Sequence, residues 1–253
     1  MIVLGLWSKI KKAVKKAVKK VVKTVKKIVR VIKEAIHRLI GIIDFLGSLI
    51  GIRPKKYLRL KIFILRKDGK PIQNKAEIQS RLDKAKQIFE EELNIEIRKP
   101  NLVLDFIDFL SDDAPSEALD VSACSFGSMF TDAADYFDDQ CHYARTSTGS
   151  FIADLLGIGE PIFAFVVLSI GGGESEGCGY PWGPVNFCLI TRDCPMTTLA
   201  HELCHMCGLT DRSSHNKNLM SSNRNKDTDY DLTRWQISVV RNSRFVTYFP
   251  RRG

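Results

Sequence analysis

The stretch His201-Glu202-Leu203-Cys204-His205-Met206-Cys207-Gly208-Leu209-Thr210-Asp211 constrains this chain more than any other. Two histidines four apart share a face on a helix, where each residue advances about 100°, so His205 lies about 40° round from His201 and one turn along. Both imidazoles can then reach one ion. Glu202 stands about 60° from His205 in projection, close enough to reach a water at that ion without being a ligand. A catalytic zinc takes three protein ligands and keeps its fourth position open, so a third donor must come from beyond the helix. Gly208 stands where the chain must turn back, because glycine adopts the positive φ that ends a helix. Asp211 is the first metal-competent side chain after that turn, and His215, four residues later, is its competitor.

The rest of the chain supplies a setting for that helix. Leu58–Leu65 largely alternates as a half-buried strand should, and Lys67-Asp68-Gly69-Lys70 supplies a turn after it. Residues 75–92 carry Ile78, Leu82, Ala85, Ile88 and Phe89 at helical spacing. Residues 94–97 and 102–106 read as strands, residues 111–160 as irregular structure with short helices, and residues 162–170 and 185–190 as buried strands. The zinc helix itself is expected over Met196–Gly208. A loop then runs to Tyr230, and Thr233-Arg234-Trp235-Gln236 has the spacing of a capping box that opens a last helix to about Asn242. This succession is an α+β plan, with helices packed on one sheet.

On these residues the chain resembles the metzincin peptidases. His201-Glu202-x-x-His205-x-x-Gly208-x-x-Asp211, with Met220 nine residues further in Asn218-Leu219-Met220-Ser221, is similar to their long zinc-binding consensus and Met-turn. The likeness extends over roughly residues 57–248. It implies a metzincin-like catalytic domain, a twisted mixed sheet with packed helices around a zinc cleft. It also implies His201, His205 and Asp211 as Zn2+ ligands, Glu202 as general base, and Met220 as a floor beneath the metal. Most members have His where this chain has Asp211; the snapalysin-like branch has Asp. Ser222 stands where astacin-like members place a tyrosine, and no cysteine-switch propeptide precedes the domain. The activity implied is that of a zinc metalloendopeptidase acting on protein or peptide substrates.

The net charge of +9 belongs to one end of the chain. Residues 1–38 hold 13 of the 38 Lys+Arg and one of the 29 acids, Glu34, so the remainder is slightly acidic. That partition argues against a nucleic-acid partner despite a basic isoelectric point. From Ser8 to about Gly47 apolar residues recur at steps of three or four, beginning Ile10, Val14, Val18 and Val21, with lysine pairs between them. The spacing predicts a long cationic amphipathic helix of about 60 Å, suited to lie on an anionic membrane surface through residues 8–47. The expected division is therefore a helical segment over 1–51 and a catalytic domain over 52–253. An alternative reading makes the cationic helix the effector, membrane-active or anchoring, with the peptidase domain accessory. The opening Met1–Trp7 is apolar before its basic residues, the reverse of a secretory leader. Seven cysteines between 124 and 207 nevertheless favour an oxidising, extracellular or membrane-surface setting with up to three disulfides. Gly171-Gly172-Gly173, followed by Gly177 and Gly179, lacks the helix that a dinucleotide site needs, and is expected at the rim of a substrate cleft.

Overall fold

The computed structural model describes residues 42–100, 105–125, 127–146, 159–181, 183–212 and 216–248. Most of the expected cationic helix, up to residue 41, lies outside the described residues, as does His215.

Alternation along three parallel strands decides the architecture. β1 (Lys56–Ile64) pairs with β7 (Ile162–Val167), and β7 pairs with β10 (Phe187–Thr191). One face of these strands presents Leu58, Leu60, Ile62, Ile64, Ile162, Ala164, Val166, Cys188 and Ile190; the other presents Phe63, Phe163, Phe165, Val167, Phe187 and Leu189. Each face builds its own core. The first packs against α2 (Lys75–Leu93), α5 (Thr198–Met206) and α6 (Arg234–Arg241), and the second against α3 (Ser116–Leu119) and α4 (Asp132–Thr146). β4 (Ile95–Arg98) and β5 (Ile107–Phe109) also run parallel to β1. Two short strands are antiparallel, β11 (Val246–Thr247) on β1 and β9 (Gly177–Cys178) on β10, where β9 ends the sheet.

The sheet is thus mostly parallel and covered on both faces, an α/β arrangement where the sequence suggested α+β with helices on one sheet. Parallel neighbours need long crossovers, and those crossovers lay helices on both faces. β1 departs from expectation for the same reason. Arg59 and Lys61, which should have faced water, are 8% and 1% exposed. The Lys61 ammonium is held by the Asp105 carbonyl and the Asp108 carboxylate of the β5 region, and Arg59 donates to the Gly159 carbonyl.

Local signals read from sequence hold at several points. The turn between β2 (Arg66–Lys67) and β3 (Lys70–Pro71) has Asp68 and Gly69 both at positive φ, 52° and 73°. The helix expected over residues 75–92 is α2, and the structure adds its caps: the Asn74 side chain accepts from the Glu77 amide, and Asn94 ends it in the left-handed region. The capping box of α6 is present, with Thr233 and Gln236 each bonding the other's backbone. Two other expectations shift. α4 is a 15-residue helix inside the stretch expected to be irregular, hidden because small side chains, Ala133, Ala134 and Cys141, carry most of its apolar stripe beside Phe137. The strand expected over 102–106 is found at Ile107–Phe109; residues 101–104 lie outside the described residues.

α1 (Ile42–Leu49) continues past Gly47 and ends before Gly51, whose φ is 93°. It packs on α6, with Phe45 edge-on to Trp235 at 5.1 Å and the Arg241 Nε donating to Ser48 Oγ at 3.2 Å. Among the described residues no helix is long and apolar enough to cross a membrane. The seven cysteines form one disulfide, Cys124–Cys178, and Cys141, Cys188, Cys194, Cys204 and Cys207 are buried thiols outside it. Cys204 and Cys207 serve as small apolar core residues.

Candidate metal centre

α5 carries both histidines toward its C-terminal end, as the four-residue spacing requires. The helix closes where expected. Gly208 has φ 99°, and the Leu209 amide reaches back to the Cys204 carbonyl at 3.0 Å. The reversed chain brings Asp211 beside the histidines. Its Oδ1 lies 3.4 Å from His201 Nε2 and 3.5 Å from His205 Nε2, and the two Nε2 atoms are 3.0 Å apart. Among the described residues this is the one group of three or more His, Cys, Asp or Glu side chains placed to hold a metal ion.

Carbonyls fix the tautomers of both rings. His201 Nδ1 lies 2.8 Å from the Leu219 carbonyl, and His205 Nδ1 lies 2.8 Å from the Leu209 carbonyl. A carbonyl can only accept, so each Nδ1 carries the proton and each Nε2 presents a lone pair. Two lone pairs and a carboxylate oxygen therefore converge within 3.5 Å, an arrangement that a cation stabilises and its absence does not. Donors about 2.0–2.1 Å from a tetrahedral zinc stand about 3.3–3.4 Å from one another, close to the three separations here. Two imidazoles also suit zinc better than calcium or magnesium, which prefer oxygen alone. The residues fit the ion.

The two carboxylates beside the histidines shift in opposite directions. The His201 and His205 rings beside it hold the Asp211 carboxyl well below the usual carboxylate range. Asp211 is also the open side of the group, its side chain 67% exposed against 12% and 9% for the histidines. Burial pushes the Glu202 carboxyl up from its ordinary value, while the neighbouring His201 and His205 pull it down. Glu202 is 4% exposed, and its Oε2 has no hydrogen-bond partner although it is buried. Such an atom is an acceptor kept ready for a proton donor that a ligand or water would bring.

Glycine makes this packing possible. A Cβ on Gly177 would stand 2.4 Å from Glu202 Oε1, and one on Gly179 would stand 2.6 Å from both the Glu202 carbonyl oxygen and His205 Cβ. The edge strand β9 can approach the helix at that distance only where side chains are missing. The sequence offered these glycines as part of a glycine-rich loop, and their service to Glu202 was not legible there.

The turn at Met220 is tied into the same site. Met220 is fully buried, its amide bonds Asn218 Oδ1 at 3.0 Å, and its carbonyl accepts from the Arg212 amide at 2.6 Å. Asn218 and Gln236 exchange a reciprocal pair of amide bonds, 2.8 and 3.0 Å, so the glutamine of the α6 capping box also clamps this turn. The turn in turn supplies the Leu219 carbonyl that orients His201. Ser222, Arg224 and Lys226 follow it along the wall of an open cleft of about 680 Å³ that also contains His201, Glu202, His205 and Asp211. Glu174, Ser175 and Glu176, which follow the Gly171–Gly173 loop, line the same cleft, together with Tyr180 and Cys124 of the disulfide.

No family model matches the chain, and no curated protein matches its sequence. Among solved structures the chain is similar to metalloproteinase-II from Bacteroides fragilis, with a TM-score of 0.45 and 15% identity over 79% of this chain and 61% of that one. It is similar to the same degree to a chain in a chaperone–substrate complex, TM-score 0.45 and 10% identity, covering 76% of this chain and 34% of that one. The chain therefore spans less than two thirds of either neighbour. Likeness of that degree does not separate one activity from another, and function has to be read from the side chains themselves.

Proposed function

We propose that this protein is a zinc-dependent endopeptidase of the metzincin type. The observation that carries the reading is the convergence of His201 Nε2, His205 Nε2 and Asp211 Oδ1 beside the buried, unpartnered oxygen of Glu202, inside an open cleft. When bound there, zinc supplies Lewis acidity, polarising the scissile carbonyl and acidifying a water at its open position. His201 and His205 would hold the ion through Nε2, with the Leu219 and Leu209 carbonyls fixing the rings, and Asp211 would supply the third ligand. The Glu202 Oε2 accepts the proton of the attacking water and passes it to the leaving amine. Its raised proton affinity, caused by burial, suits a group that must take up and release a proton in one cycle. The edge of β9, the end strand of the sheet packed against α5, offers backbone groups to an extended peptide. Met220 underlies the site as a buried support.

A direct test uses casein or gelatin. The purified protein should bind about one zinc per chain, lose hydrolysis with a zinc chelator, and regain it when zinc is restored. Hydrolysis that survives complete removal of metal would refute the proposal.

The basic partition of the sequence supports a location for this activity. With 13 Lys+Arg against one acid in residues 1–38, the N-terminal segment is suited to anionic membrane surfaces, each basic residue adding about 1 kcal/mol near such a surface. Co-sedimentation with anionic and neutral liposomes tests it, comparing the full chain with one starting at Ile42, which keeps α1 on α6. Salt-sensitive binding to anionic liposomes by the full chain alone is expected. Equal binding by the two would assign the segment to folding, inhibition or assembly instead.

A further inference from the structure

Two cations from the stretch after Met220, Arg224 and Lys226, line the cleft, and so do two acids from the stretch before β9, Glu174 and Glu176. Lys226 is already matched, its ammonium donating to Glu176 at 2.6 Å. Arg224 is not. Only 8% of it is exposed, its Nη1 donates to the Ser221 carbonyl at 2.7 Å, and its buried Nε finds no acceptor. Among the described residues it makes no ion pair, and the carboxylates of Glu202, Glu176 and Asp211 act on it only from further away. A guanidinium does not give up its proton, so this is a buried charge with donors left unused. Burying a charge without a partner is costly, and here the cost falls in the wall of an open cleft beside the proposed metal site. Among the described residues no anion completes it, and the open cleft gives a carboxylate from solution access to it. A guanidinium is a planar fork, which matches a carboxylate better than any other group a peptide carries.

Resting on the peptidase reading, we propose that Arg224 determines specificity by receiving a carboxylate of the peptide substrate, at one position close to the cleaved bond. The preference is positional. Glu174 and Glu176 line the same cleft, so a substrate that is acidic throughout meets repulsion on one side of it, whereas a single acid placed at Arg224 does not. Two sources could supply the carboxylate, an internal Asp or Glu side chain or a free chain terminus.

The experiment uses the full chain loaded with zinc and a series of internally quenched peptides. The members are identical except for Glu or Gln scanned through the positions on each side of the cleaved bond, each made with a free and with an amidated C-terminus. At one position Glu should exceed Gln by about tenfold or more in kcat/KM, the size expected of a charge-assisted pair in a shielded site. In Arg224→Gln that ratio should fall to about one, and in Arg224→Lys it should keep an intermediate value. Zinc content and melting temperature establish that the variants are folded. A preference that follows the free C-terminus assigns the terminal carboxylate, and one that survives amidation assigns the side chain. Cleavage with neither a position where Glu exceeds Gln nor a preference for the free over the amidated C-terminus, or a preference unchanged in Arg224→Gln, overturns the proposal. If wild type cleaves no peptide, the peptidase reading fails by itself. Fluorescence anisotropy of the labelled Glu and Gln peptides on wild type and Arg224→Gln then decides the carboxylate proposal separately: an Arg224-dependent preference for Glu supports it, and equal binding overturns it.

Discussion

The third donor distinguishes this site at the scale of single residues. Asp211 reaches both imidazoles because Gly208, at φ 99°, reverses the chain within three residues. A carboxylate would also leave a bound ion less positive than a third imidazole would, softening its Lewis acidity. Asp211→Ala should therefore lower zinc affinity by more than about 100-fold, beyond the usual loss from removing an outer partner of a ligand. His215→Ala should leave affinity within a few fold. Zinc titration against a competing chelator measures both, and the assignment has to be exchanged if His215→Ala strips the metal and Asp211→Ala does not. His201, Glu202, His205 and Asp211 were legible in sequence because helix geometry and one glycine dictate their meeting. Leu209 and Leu219, which orient the rings, were not, because they act through backbone carbonyls and any side chain could stand there. Gly177 and Gly179 were visible only as glycines; what makes them necessary is a helix brought beside them by the fold. Arg224 was hidden for a related reason, since nothing in a sequence says that a guanidinium lacks a partner.

At the scale of elements, the site is held between α5 and the turn at Met220, and that turn is clamped to the start of α6. Asn218 is the hinge of this link: it bonds the Met220 amide and both ends of the Gln236 amide. Its loss should release the Leu219 carbonyl from His201 and lower zinc affinity by about 10–100-fold, as for other groups that orient a ligand. Thr233→Ala removes the N-cap of α6 and should cost about 1 kcal/mol of stability, with a smaller effect on zinc. Chemical denaturation and zinc titration on the two variants separate these roles; equal effects on both quantities would mean the turn is not a separate support. The capping box was readable because Thr233 and Gln236 form a local pattern. Elements whose burial comes from distant partners were harder to read. β1 looked half-buried because Arg59 and Lys61 interrupt its apolar residues, yet both are covered and bonded to Gly159, Asp105 and Asp108. α4 escaped notice because alanines carry little hydrophobic signal.

At the scale of the whole molecule, two cores enclose one sheet, and the buried thiols report on their integrity. Burial pushes Cys188 and Cys204 well above the ordinary thiol range and Cys194 up to about 12. The native protein should therefore show no fast-reacting thiol near pH 8, and five after unfolding without reduction, counted with a chromogenic disulfide reagent. The sign for stability follows. These thiols hold their protons more tightly folded than unfolded, so stability should fall as pH rises above about 8.5, the value of an unfolded thiol. Fast reaction of several thiols in the native state would contradict the packing of both cores. The α/β layering was not legible from composition, since apolar alternation on both faces of a strand looks the same as a short buried run until its neighbours are known. What the layering accomplishes is to set α5 against the end strands of the sheet, with the cleft beside them. The central claim is that this cleft hydrolyses peptides by zinc with Glu202 as the base, and Glu202→Ala tests it most directly. The variant should retain about one zinc per chain, because Glu202 is not a ligand, while casein hydrolysis falls to background. Full zinc content together with persisting hydrolysis would contradict the account.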